Sequence, residues 1–179
     1  VIRTYIDVDG VLNPFPWMGR TGDFNDFENH NIMFVAEKGW QDGRTLTVRL
    51  SRKMVQELKN LDVEIVFNTT WCDYPAALQE LASIVGLDGT RQLYYDDPSG
   101  ALWRHYRHQK ALKLVEDVKE HGEPFIWVDD EAIDMDGASH VKVNTDVPRL
   151  FIVPNSRTGL TMENISTMRE FISQHSREA

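Results

Sequence analysis

Cysteine is almost missing from this chain: Cys72 is the only one among 179 residues. No internal disulfide can form, which fits a reducing compartment, and a cytoplasmic protein is expected. Long apolar runs are missing too. None approaches the roughly 20 residues that a membrane-spanning helix needs, so no membrane partner is expected. Positive charge is scarce, with 19 Lys and Arg against 28 Asp and Glu and a formal net charge of -9. A general sink for nucleic acid needs Lys and Arg to meet phosphates, so no stable nucleic-acid partner is expected, although a local basic patch remains compatible. The acidic excess suits a protein that holds divalent cations, while most of these carboxylates must be solvated. Val1 to Ile6 lack a basic-then-apolar secretory pattern. They also open a strand so early that a short upstream segment is expected.

Repeats, low-complexity tracts and linkers are absent as well, so residues 1–179 read as one domain with one core. Val1 to Val8, Val63 to Phe67, Phe125 to Val128 and Leu150 to Val153 read as buried strands, and His140 to Val143 as a weaker one. Helices are expected after Ser51, a plausible N-cap, up to Gly86, over about Ala101 to Glu120, and from about Thr161. Ile32 to Leu50 reads as a β-hairpin turning near Gly39 to Gly43, where Asp42-Gly43 is a good turn signal. Thr45, Thr47 and Arg49 would form its polar face, opposite Leu46, Val48 and Leu50. Strands alternating with helices predict an α/β domain with a mainly parallel sheet. The polar residues that follow its strands are therefore the candidates for a site: Asp7 and Asp9, Thr69 and Thr70, Asp129 and Asp130, then Asn144 and Asp146.

The string Asp7-Val8-Asp9-Gly10-Val11-Leu12-Asn13-Pro14 follows an apolar strand. A lone Asp-x-Asp is often a solvated strand end, but this order closely resembles the first motif of the haloacid dehalogenase (HAD) superfamily. Asn68-Thr69-Thr70-Trp71, Lys110 and Trp127-Val128-Asp129-Asp130-Glu131 follow in that family's order, and the likeness spans about residues 1 to 153. With Thr158-Gly159-Leu160-Thr161, these strings look more narrowly like the HAD domain of the RNA-repair proteins called Swiss Army Knife and of related stand-alone phage and actinobacterial proteins.

The resemblance implies a Rossmann-like HAD fold and a magnesium-dependent phosphatase working through an aspartyl phosphate. Asp7 would be the nucleophile, which must be ionised and in line with phosphorus. Asp9 would protonate the leaving group and later activate water, so it must spend part of the cycle protonated. Thr69, with Thr70 as its alternative, would hold a phosphoryl oxygen. Lys110 would pair with the nucleophile; Lys113 is the rival, and Arg107 could serve the substrate instead. Asp130 would ligate Mg2+ with Asp7 and the backbone carbonyl of Asp9. Asp129 would be a further ligand or an acceptor behind the ligands, and Asp134 would hold a metal-bound water. Magnesium suits such hard oxygen donors, and no Cys/His set exists for zinc.

Specificity in this superfamily comes mainly from cap insertions. Here about residues 13–50 leave room only for a small β-flap, whose polar face implies little contribution to the core. The open site, the tryptophans Trp17, Trp40, Trp71 and Trp103, and Arg104, Arg107 and His108 favour a nucleotide or nucleic-acid terminal phosphate over a sugar phosphate. The substrate would be a small phosphoester, as for a nucleotidase, or a nucleic-acid end. The alternatives are a phosphotransferase or protein phosphatase on the same scaffold, and a silent HAD-like or receiver-type module. Intact Asp9 speaks against the silent ones.

Overall fold

The computed structural model describes residues 1–15, 22–34, 43–93 and 106–176. Trp17, Trp40, Trp103, Arg104 and the hairpin tip lie outside the described residues, as do the side chains of Arg107 and His108. Five strands form one parallel sheet in the order β5-β4-β1-β6-β7, with β1 (Ile2–Ile6) at its centre. Its neighbours are β4 (Val63–Phe67) and β6 (Phe125–Val128), and the edges are β5 (Arg91–Gln92) and β7 (Arg149–Ile152). From β1 the chain builds one side of the sheet, then returns to build the other. Such a reversal opens a crevice at the C-terminal strand ends.

Period-two alternation divides the sheet's side chains between two cores. Ile2 and Ile6 of β1, Phe67 of β4, and Ile126 and Val128 of β6 pack into one. That core also takes α1 (Arg52–Lys59), α2 (Pro75–Val85) and α5 (Met162–His175). Tyr5, Val66, Phe125 and Trp127 face the other core, under α3 (Tyr106–His121) and α4 (Ala138–Asn144). The helix ends follow local chemistry. The Ser51 hydroxyl accepts the Met54 N–H at 3.0 Å. Gly86 closes α2 in the left-handed conformation, and Thr161 and Asn164 form a capping box at the start of α5. Cys72 is buried beside the end of β4. No helix among the described residues is long and apolar enough to cross a membrane.

Two sequence expectations fail. His140 to Val143 is not a strand but lies within α4, just after a π-helical turn at Ile133–Gly137. Val141 is fully buried and Val143 is 83% exposed, as a helix separates them; a strand would put both on one face. Asn144 is therefore the last residue of a helix, and Asp146 follows that helix rather than a sheet strand. The hairpin is present, as β2 (Glu28–Phe34) paired antiparallel with β3 (Arg44–Leu50). Its contribution to the core is nonetheless substantial: Ile32, Phe34, Val48 and Leu50 all join the first hydrophobic cluster. Only the other face, with Asn29, Asn31, Thr47 and Arg49, is polar.

Candidate active site

Three adjacent strand ends bring the sequence candidates together. Asp7 follows β1, Thr69 follows β4 and Asp129 follows β6, and all three are buried. After Asp7 the chain turns tightly, with the N–H groups of Leu12 and Asn13 both donating to the carbonyl of Val8 at 2.9 Å. The closing Thr-Gly-Leu-Thr string packs onto this turn. Leu160 N–H donates to Val11 O at 3.1 Å, and a Cβ on Gly159 would come within 2.5 Å of that oxygen.

Lys110 lies on α3, and its ammonium donates to Asp7 Oδ2 at 2.5 Å and to Asp129 Oδ2 at 2.8 Å. Its rival Lys113 instead pairs with Glu116 at 3.0 Å. Asp7 Oδ1 accepts the N–H of Val8 at 2.7 Å. Burial raises the pKa of Asp7; the Lys110 charge opposes this and Asp129 reinforces it. The Thr69 hydroxyl also helps to hold Asp7 ionised. Lys110 is itself buried, yet the two carboxylates keep it charged. Thr69 is fully buried, whereas Thr70 begins the short 3-10 turn Thr70–Asp73 and is only partly buried.

Asp129 receives three donors and keeps one lone pair on Oδ2. Its Oδ1 accepts from Glu131 N–H at 3.0 Å and Ala132 N–H at 2.6 Å, and its Oδ2 from Lys110. Asp130 is half-buried, and its carboxyl is pushed up to about 6, first by burial and then by the charge of Asp129. Oxygens of Asp7, Asp129 and Asp130 lie within 4.8 Å of one another. One ammonium against three carboxylates leaves two negative charges uncompensated in a largely buried space. An all-oxygen donor set with that surplus fits a hard divalent cation such as magnesium. Asp134, expected to hold a metal-bound water, is exposed on the π-helical turn and lies outside this cluster. A second acidic group, Asp117, Glu120 and His121, has another occupation: Asp117 takes the Tyr5 hydroxyl and a bidentate Arg91.

Asp9 borders a cleft of about 330 Å³ lined also by Asn13, Phe15, Asn29, Thr47 and Arg49. Its Oδ1 accepts from Asn13 Nδ2 at 2.7 Å and its Oδ2 from Trp71 Nε1 at 2.9 Å. Trp71 is only 3% exposed, which leaves its ring no free face for a base. From the sequence, Trp71 is part of a family string and either a packing residue or a stacking face, and Asn13 is only part of a family string; neither is expected to hold Asp9. The signal for Asn13 was there: an amide four residues after Asp9, in an otherwise apolar stretch.

No curated protein and no solved structure matches the chain. One family model does, over residues 4–165, described as the HAD domain in Swiss Army Knife RNA repair proteins. The match takes in the Asp7 turn, Thr69, Lys110 and the Asp129–Asp130 pair, and the parallel sheet flanked by helices is consistent with a Rossmann-like HAD fold. The chain belongs to this HAD domain family.

Proposed function

We propose that this chain is a magnesium-dependent phosphomonoester hydrolase that forms an aspartyl phosphate on Asp7. The observation that carries the reading is the buried Asp7–Lys110–Asp129 array, with Asp9 two residues on at the edge of an open cleft. A carboxylate of Asp7 attacks phosphorus, the new P–O bond forms, and the ester P–O bond breaks. Asp9 gives its proton to the departing oxygen. Water then attacks phosphorus while Asp9 takes up its proton, and the bond to Asp7 breaks to release phosphate. Lys110 and the Thr69 hydroxyl offer donors to the phosphoryl oxygens. Magnesium, held by Asp7, Asp130 and the carbonyl of Asp9, would supply the positive charge that offsets repulsion between these carboxylates and the anionic substrate.

The substrate class is a nucleotide or the terminal phosphate of a nucleic acid. The cleft beside Asp9 has room for more than a phosphoryl group, and its lining mixes the apolar ring of Phe15 with the polar Asn29, Thr47 and Arg49. The RNA-repair setting in the family's description supports the same class. Phosphate release should be followed from para-nitrophenyl phosphate, nucleotides, 5′- and 3′-phosphorylated oligonucleotides and sugar phosphates, with magnesium and with EDTA. Release is expected with magnesium only and should vanish in Asp7→Asn. A folded Asp7→Asn protein with substantial turnover would sink the reading, and a preference for sugar phosphates would overturn the substrate class.

A further inference from the structure

From the two hydrogen bonds on Asp9 we infer that Asn13 and Trp71 are positioning residues for the acid–base step, and that the hairpin fixes where Asp9 points. The inference rests on the function proposed above. Each oxygen of the Asp9 carboxylate receives one donor, the amide of Asn13 on Oδ1 and the indole of Trp71 on Oδ2. An indole N–H can only donate, and each carboxylate oxygen keeps a second lone pair for a reacting proton. Two donors from two directions fix the rotation of a side chain that must meet the leaving oxygen, and proton transfer is sensitive to such placement.

Both donors are themselves anchored in the hairpin. Asn13 Oδ1 accepts the backbone N–H of Arg49 in β3 at 2.9 Å. This contact also settles which end of the amide faces which way, since a backbone N–H only donates and an ionised carboxylate only accepts. The Trp71 ring packs edge-on against Phe34 of β2, with centroids 4.5 Å apart at an interplanar angle of 70°. Asn13 and Trp71 are 7% and 3% exposed, so neither relaxes freely into solvent. Asp9 is thus linked to the hairpin through both of its oxygens.

Two variants separate positioning from scaffolding. Asn13→Asp keeps the oxygen that accepts Arg49 N–H but turns the donor facing Asp9 into an acceptor. Trp71→Phe keeps an aromatic ring toward Phe34 and removes the N–H. The readout is kcat/KM, which covers the steps through phosphoryl transfer to Asp7, measured with magnesium on para-nitrophenyl phosphate, phenyl phosphate and an alkyl phosphate. Both variants should lose at least about 10-fold more on the alkyl ester, with its poor leaving group, than on the nitrophenyl ester, a share of the about 10²–10⁴ that acid–base groups contribute. Asp9→Ala should show the same trend more steeply. Adding Asn13→Asp to Asp9→Ala should then change little, because residues acting through one group are not additive. A thermal melt of each variant checks folding, and if Trp71→Phe is unstable, Asn13→Asp alone decides. Equal losses across leaving groups, or a full Asn13 effect in the Asp9→Ala background, would overturn the inference while leaving the proposed function intact. A flat leaving-group profile for Asp9→Ala itself would take down the acid role and this inference together.

Discussion

A Cβ on Gly10 would fall 2.1 Å from Oδ2 of Asp130, so the missing side chain of one residue is the space that the other occupies. Gly10 also sits at φ +71°, where other residues are strained. Gly10→Ala should therefore do more than strain a turn: it should push Asp130 away from Asp7 and Asp129. The concentration of magnesium that gives half-maximal activity is expected to rise at least about 10-fold, equivalent to about 1.4 kcal/mol. A magnesium titration of the variant checks this. An unchanged half-point would mean that Asp130 has no part in holding the metal.

Lys110→Met should abolish activity and lower stability together. It leaves Asp7 and Asp129 buried without their shared cation, and breaking such a pair costs about 3–5 kcal/mol. Lys110→Arg is not expected to rescue, because a planar fork cannot take the place of a compact ammonium between two carboxylates. Lys113→Met is the control: its pair with Glu116 is partly exposed and worth at most about 1 kcal/mol. If the Lys110 variant melts like wild type, the array is not the buried ion cluster described above.

The raised pKa of Asp130 sets the sign of a pH effect. Its folded value, about 6, is above the ordinary 3.8 of an aspartate, so between these the folded chain binds more protons than the unfolded chain. Stability of the EDTA-treated protein should fall as pH rises through that window, with Asp7 adding in the same direction. Magnesium should restore stability more at pH 8 than at pH 5, since protons compete with it for the same oxygens. Melting curves at the two pH values, with and without the metal, are the measurement. Greater stability at pH 8 than at pH 5 in EDTA, or a fall that is undiminished in Asp130→Asn, would contradict the assignment.

The two faces of the hairpin should respond differently. Combined Asn29→Ala and Thr47→Ala substitutions on the polar face are expected to raise KM for a nucleotide or phosphorylated oligonucleotide. They should have little effect on para-nitrophenyl phosphate and leave the melting temperature nearly unchanged. Leu50→Ala on the buried face should instead cost about 2–5 kcal/mol of stability. Kinetics and melts of both proteins decide between a specificity element and a plain scaffold. Equal loss on both substrates in the polar-face variant would favour the scaffold.

Much of the site was legible because its residues obey local rules. Asp7, Asp9, Thr69 and Asp129 each follow an apolar strand, and a parallel sheet gathers such ends. Lys110 could be narrowed to one turn of helix but not separated from Lys113, because that choice depends on which face of α3 meets the sheet. Asp129 and Asp130 are neighbours in sequence and in the acidic cluster alike, but the different surroundings of the two carboxylates depend on backbone donors from Glu131 and Ala132 that only the fold supplies. Val141 and Val143 misled because β-branched residues two apart imitate a strand. The polar run from Glu28 to Asn31 hid the first half of β2, whose pairing with Thr47 to Leu50 overrides its weak strand propensity. The hold on Asp9 joins Asn13 to Arg49 and Trp71 to Phe34, and no local rule links residues that far apart.

Cys72 offers a native reporter on this region. Its thiol is buried and pushed up to about 12, so the folded protein should be inert to alkylating reagents at neutral pH. Any modification then counts an opening of the short turn that begins just after Thr69 and carries Trp71. Because no other cysteine competes, the rate of a single thiol reaction would follow the breathing of one wall of the candidate site, with no engineered label. Slower modification in the presence of a phosphate mimic and magnesium would show how strongly a bound ligand holds that wall closed.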